Sequence, residues 1–222
     1  LDFFLPRVCP SCEANLTSSE EAICNKCLSA IRKISEENIT AEYNRKFREE
    51  GYVDKMLPYC YFERDKEVQN IIHSIKYKQR FQNGIYFGKK IGEAEAGYFA
   101  SVKFDLIIPV PLHHLKKAER GYNQSVYIAK GLAKQIGVKV NNKIIKRSRY
   151  TKSQTTLSIT ERKRNMRGAF IINKNKLKEI KGKKIIILDD VITTGVTVAE
   201  CAKILKRAGA QTVVAVSIAL AL

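Results

Sequence analysis

The segment KKIIILDDVITTGVT, residues 183–197, constrains the fold more than any other stretch. Ile185 to Leu188 read as a strand buried on both faces. Asp189 and Asp190 follow at once, then Thr193, Thr194, Gly195, Val196 and Thr197 lead into a helical pattern. In an open α/β sheet, ligands lie outside the carboxyl ends of the strands. Both acids are expected at such an end, with Asp190 exposed. Unpaired charges there are costly, so Mg²⁺, ligand hydroxyls or a nearby Lys or Arg must engage them. The turn that follows offers backbone N–H groups, hydroxyls and the positive end of a helix dipole, which suits a phosphate monoester. Gly195 lets the backbone approach closely. The lysine of a Walker A loop is missing, so a nucleoside triphosphatase is not indicated. A phosphate in the turn and a diol against the acids together describe a ribose 5-phosphate.

Around this segment, strands and helices alternate. YCYF at 59–62 reads as a short strand, and Val68, Ile71, Ile72 and Ile75 mark one face of a helix. A second helix is expected over 84–99. FDLIIPVPL gives a buried strand ending at Pro109, and residues 122–136 carry an apolar helical face. Short strands are expected near 144–146 and at GAFII, a helix over about 195–208, and a last apolar strand at TVVAVSIAL. Strands apolar throughout, alternating with helices, argue for an α/β fold whose parallel sheet is covered on both faces.

Residues 9–27 read CPSCEANLTSSEEAICNKC, two C-x2-C knuckles eleven residues apart. Two such knuckles close a tetrahedron of thiolates around Zn²⁺. Cys9, Cys12, Cys24 and Cys27 fill all four positions, so the zinc is expected to be structural and to supply folding free energy to a segment with few apolar residues. A redox pair would need only one knuckle. Cys60 and Cys201 are expected to be buried small hydrophobes. The organisation read from the chain is a four-cysteine module over 1–32, a helical connector over 33–57 and the α/β domain over 58–222.

The formal charge is +18, and it is uneven: residues 1–100 hold 15 basic and 15 acidic side chains, whereas residues 101–222 hold 25 and 7. A general Lys bias would spread over both halves, so the asymmetry favours a field for polyanions, either phosphate esters or nucleic acid. No apolar run reaches the roughly 18 to 20 residues of a membrane span. No leader pattern opens the chain, so a cytoplasmic location is expected.

The run IIILDDVITTGVT resembles the phosphoribosyl pyrophosphate (PRPP) loop of type I phosphoribosyltransferases. PVPLHHLKKAERGYNQS at 109–125 resembles the motif after an earlier strand in the ComF family. RYTKSQTTLSITERKRNMRGAF at 149–170 resembles that family's mobile loop. The four-cysteine module also fits the ComF pattern. Only 28–57 is uninformative.

The resemblance implies a type I phosphoribosyltransferase fold in which Asp189 and Asp190 face ribose hydroxyls, directly or through Mg²⁺. Thr193, Thr194, Gly195, Val196 and Thr197 would cradle the 5′-phosphate. Pro111, Leu112 and His113 would approach the pyrophosphate, with Arg120 as its best cation and Lys116 and Lys117 behind it. Arg149, Lys152, Arg162, Lys163, Arg164 and Arg167 would cover the site or contact nucleic-acid phosphates. ComF relatives are associated with natural transformation, acting in the cytoplasm on incoming single-stranded DNA with a helicase-like competence partner. That role is the expectation, with a retained PRPP-type pocket. The alternative is an active phosphoribosyltransferase passing ribose 5-phosphate to an unidentified acceptor. The C-terminal part also resembles the transferase half of amidophosphoribosyltransferases, but without their glutaminase domain, so purine synthesis is not expected.

Overall fold

A computed structural model describes residues 7–64, 66–149 and 166–222. Its centre is a five-stranded, all-parallel sheet in the order β1-β7-β6-β2-β3, formed by β1 (Lys55–Tyr61), β2 (Leu106–Pro109), β3 (Lys139–Val140), β6 (Lys184–Ile192) and β7 (Thr212–Leu220). The two longest strands, β6 and β7, lie inside the sheet, as the burial of their apolar residues on both faces requires. Pro58, which cannot donate to a ladder, is on the edge strand β1.

The pleat of β6 feeds two cores. Ile186 and Leu188 point into one, with side chains from α3 (Glu67–Tyr77), α4 (Phe81–Ala94), α5 (Ala96–Val102) and α7 (Gln124–Ile136). Ile185 and Ile187 point into the other, with α8 (Val196–Arg207) and the connector residue Phe47. Helices α4 and α7 cross with almost no space between them. A Cβ on Gly88 would lie 2.0 Å from the Ile128 carbonyl oxygen, and one on Gly131 would lie 2.0 Å from that of Ile85.

Several expectations are met with small shifts. The predicted 84–99 helix is two helices, separated at Glu95. Strand β1 starts at Lys55, so a boundary at 58 would cut it. The connector is helical, with α1 (Asn25–Ala30) before it, α2 (Glu36–Tyr43) within it and a π-helical turn over Asn44–Arg48. The strands at β4 (Ile145–Arg147) and β5 (Phe170–Ile172) exist, but they pair with each other antiparallel, outside the main sheet. Helix α6 (His114–Arg120) was not predicted. Among the described residues no helix is long and apolar enough to cross a membrane.

Among the described residues, the four-cysteine segment shares its core with the α/β domain. Cys9, Ile23, Cys24, Cys27 and Ile31 join the cluster that holds α3 and α4. Asn70 Nδ2 donates to the Ser11 carbonyl at 3.3 Å and Arg80 Nη1 to that of Val8 at 2.9 Å. Cys60 and Cys201 are fully buried, as predicted.

Candidate functional site

The carboxyl ends of β1, β7 and β6 open onto a cavity of about 1090 Å³. Tyr61 and Phe62 come from the end of β1, Ala221 and Leu222 follow β7, and Val191, Thr193 and Thr194 come from the end of β6. Helix α3 adds His73, Lys76 and Tyr77. The connector closes one side through Arg45, Lys46, Glu49 and Glu50. It is tied down by Lys46, whose Nζ lies 2.8 Å from Glu42 Oε2 and donates to the Ala221 carbonyl at 3.2 Å.

Next to this cavity, a smaller hollow of about 120 Å³ is bordered by Asp189 and by residues 191–198. Here β6 turns into α8. Gly195 takes φ +78°, and among the described residues no side chain caps the helix. The first-turn N–H groups of α8 therefore keep their donor capacity and the positive end of the dipole. The ring of Phe47 presses on the turn from the connector side.

The two acids lie inside β6, which continues to Ile192, rather than at its last residue. Asp189 Oδ1 accepts from Ser125 Oγ at 3.1 Å and from the Asp190 N–H at 2.9 Å. Asp190 is only 5% exposed, a correction to the exposed carboxylate expected from sequence. Its Oδ1 accepts from the Val191 N–H at 2.8 Å, and Lys76 Nζ lies 2.6 Å from Oδ2. No hydrogen bond of ordinary geometry reaches Oδ2 among the described residues, so this contact is one of charge rather than direction. A nearby lysine thus engages Asp190, one of the three partners its chemistry allowed. Because this second, buried oxygen faces an ammonium, the pair is a poor fit for Mg²⁺, which needs oxygen ligands around it.

Burial, and then the charge of Asp190, raise the Asp189 carboxyl to about 7, against the pull of the Asp190 N–H, Lys76 and Ser125. A carboxyl whose folded value exceeds its unfolded value of about 3.9 stabilises the fold below that unfolded value. The contribution is lost as pH rises through about 7. Asp189→Asn cannot ionise. It is expected to match the wild type near pH 4 and to exceed it by on the order of 4 kcal/mol near pH 8. Denaturant titrations at both values check this, and a constant gap would contradict it.

The turn after β2 gives its histidine a hydrogen-bonding role. His113 is buried and caps α6, its Nδ1 accepting from the Leu115 N–H at 3.3 Å. Burial, followed by His114 and Arg147, lowers its pKa and so keeps the lone pair available. Pro111 and Leu112 are half-buried beside it. Arg120 Nη1 donates to Gln124 Oε1 at 2.7 Å, and its guanidinium lies over Tyr77, 5.0 Å from the ring centroid. Lys116 is lowered by burial and then by the charges of Arg147, Arg120 and Lys76, against the pull of Glu119.

Arg149 Nη2 donates to the Arg167 carbonyl at 2.9 Å, joining the two ends of the basic stretch. Lys152, Arg162, Lys163 and Arg164 lie outside the described residues.

The sulfurs of Cys9, Cys12, Cys24 and Cys27 lie within 4.8 Å of one another, a group that could hold a metal ion. Backbone N–H groups of Cys12, Cys24 and Ser11 outweigh burial at Cys9 and bring it down to about 7, whereas burial pushes Cys27 up to about 12.

Residues 123–221 match the family model described as a phosphoribosyl transferase domain. Competence protein F of Haemophilus influenzae is 28% identical over 222 residues, 95% of this chain and 95% of that protein. The chain is ComF-like and has a phosphoribosyltransferase fold. The DNA utilization protein YhgH of Escherichia coli O6:H1 is 39% identical to this ComF-like chain over 109 residues, 49% of it and 46% of the relative. A solved structure of the allosteric regulatory enzyme of purine biosynthesis covers 66% of the chain and aligns over 30% of its own length, with 20% identity and a TM-score of 0.45. A likeness that slight carries no weight.

Sequence reasoning missed Lys76 and Ser125, the two partners of the acid pair, and Phe47, which supports the turn.

Proposed function

We propose that this chain handles single-stranded DNA in natural transformation, and that its phosphoribosyltransferase-type pocket receives a ribose 5-phosphate group, carried by PRPP or a related ligand. The observation that carries the pocket reading is the hollow where Asp189 and the uncapped first turn of α8 meet. The phosphate would take the N–H groups of Thr194 to Thr197, and the ribose diol would turn toward Asp189. The cations Arg120, Lys116 and Lys76 would face whatever leaves C1. The DNA role is supported by the names of the relatives and by the excess of 25 basic over 7 acidic residues in 101–222. Arg149, Arg167 and the basic residues between them are the proposed phosphate contacts, in the cytoplasm and with a helicase-like partner. The four thiolates are proposed to hold a structural Zn²⁺.

A nucleic-acid complex built on phosphate contacts weakens as salt rises. Fluorescence anisotropy with a labelled single strand is expected to show affinity falling at least about tenfold between roughly 50 and 200 mM salt. No binding at low salt, or none of this dependence, would contradict the DNA role.

An active transferase is the second reading, favoured by the large cavity next to the phosphate turn, whose Tyr61, Phe62, His73 and Tyr77 suit a flat acceptor. In such a reaction the bond from C1 to pyrophosphate breaks with oxocarbenium character, and the cations stabilise the departing charge. Release of pyrophosphate from PRPP on addition of a nucleobase or amine panel would establish it.

A further inference from the structure

Lys76 and Asp190 come from elements 114 positions apart in the chain and meet at 2.6 Å, at the edge of the large cavity. The lysine is in the last turn of α3, one turn after the buried Ile72. The side chain of Asp190 is 6% exposed and that of Lys76 24%, so the carboxylate is shielded while the ammonium still reaches the cavity. Lys76 also shares that cavity with Thr193 and Thr194 of the phosphate turn.

We infer that Lys76 takes the place of a divalent cation at this site, so that a ribose 5-phosphate ligand is bound without Mg²⁺; this rests on the pocket reading proposed above. An ammonium is a compact charge with three rotatable donors, able to neutralise Asp190 and still offer hydrogen bonds to a ligand oxygen. Mg²⁺ asks for near-octahedral oxygen coordination and gives up water reluctantly. To reach Asp190 Oδ2 it must displace a lysine that is already in contact, or sit beside a like charge. Lys116 feels the charges of Arg147, Arg120 and Lys76, so an anionic ligand has further protein cations to meet it. A lysine here also explains how a buried carboxylate is tolerated when no ligand is bound, since removing its partner would leave an uncompensated charge.

The test is calorimetric titration of ribose 5-phosphate into the full chain, first in metal-free buffer prepared by gel filtration, then with excess Mg²⁺. Chelators are avoided because they would strip a thiolate-bound metal. The wild-type affinity is expected to be the same in both buffers within about twofold. Lys76→Met is expected to lose at least about tenfold in the metal-free buffer and to regain most of that loss with Mg²⁺, whereas Lys76→Arg keeps metal-free binding. Wild-type binding that appears only with Mg²⁺ overturns the inference and leaves the pocket reading intact. Absence of wild-type binding in both buffers overturns the two together. The wild-type comparison decides the matter even where Lys76→Met fails to fold.

Discussion

Gly195→Ala is expected to lower the melting temperature by about 4 to 20 °C, the shift that 2 to 5 kcal/mol produces in a chain of this size, and to cost at least about tenfold in ribose 5-phosphate affinity. Two effects combine. At φ +78° an L side chain sits in the left-handed region, at a cost of about 1 to 2 kcal/mol. The added methyl would also stand 2.9 Å from two ring atoms of Phe47 and 3.2 Å from Lys46 Cβ. Phe47 is 2% exposed and has nowhere to swing, so the clash adds roughly 1 to 3 kcal/mol. The loop must then move away from the connector, carrying with it the N–H groups that border the hollow. A variant with wild-type stability and affinity would mean that neither the turn's conformation nor its support by Phe47 matters. Gly195→Ala combined with Phe47→Leu separates the two costs, because the double variant relieves the contact but not the backbone strain.

The larger loss is expected at the other end of the molecule. Cys9→Ser should reduce bound zinc to well below one per chain and destabilise the protein by on the order of 5 kcal/mol. The effect should not stop at the cysteine segment. Cys9, Ile23, Cys24 and Ile31 belong to the cluster that contains Ile71, Ile75 and Phe87, so opening the knuckles exposes one face of α3 and α4. Differential scanning calorimetry together with metal analysis reads both outcomes. Full metal occupancy in Cys9→Ser would remove the four-thiolate site, and a loss of metal without a lower melting temperature would show the segment to be energetically separate.

The two consequences are connected through α3. The cysteine segment buttresses its outer side through Asn70, and Lys76 at its C-terminal end touches Asp190. Loss of the metal is therefore expected to loosen the acid pair as well.

What could be read from the sequence follows from range of interaction. The run Ile185 to Leu188 announces a central strand because burial on both faces demands apolar residues throughout. Val68, Ile71, Ile72 and Ile75 announce α3 because one helical face is buried. The four cysteines are legible because metal geometry dictates their spacing, and their sulfurs do converge. Helix α6 was hidden because HLKKAER has no apolar stripe; it is set by the His113 cap, and its Leu115 is 52% exposed. The antiparallel pairing of β4 with β5 was hidden because alternation identifies a strand but not its partner. Phe47 is the single aromatic in the charged turn NRKFR, so nothing local marks it as a support for a loop 148 positions onward. The exposure of Asp190 was misjudged for the same reason: its counter-ion is contributed by a distant helix, and a buried carboxylate with a partner reads in sequence like an exposed one.

The most direct test of the central claim, that residues 189–197 form a receptor for a phosphorylated sugar, is a crystal structure of the protein soaked with ribose 5-phosphate. The phosphate is expected within hydrogen-bond reach of the N–H groups at the start of α8, with the ribose hydroxyls beside Asp189. Ligand density elsewhere on the molecule, with the hollow at β6 and α8 filled by solvent, would contradict it.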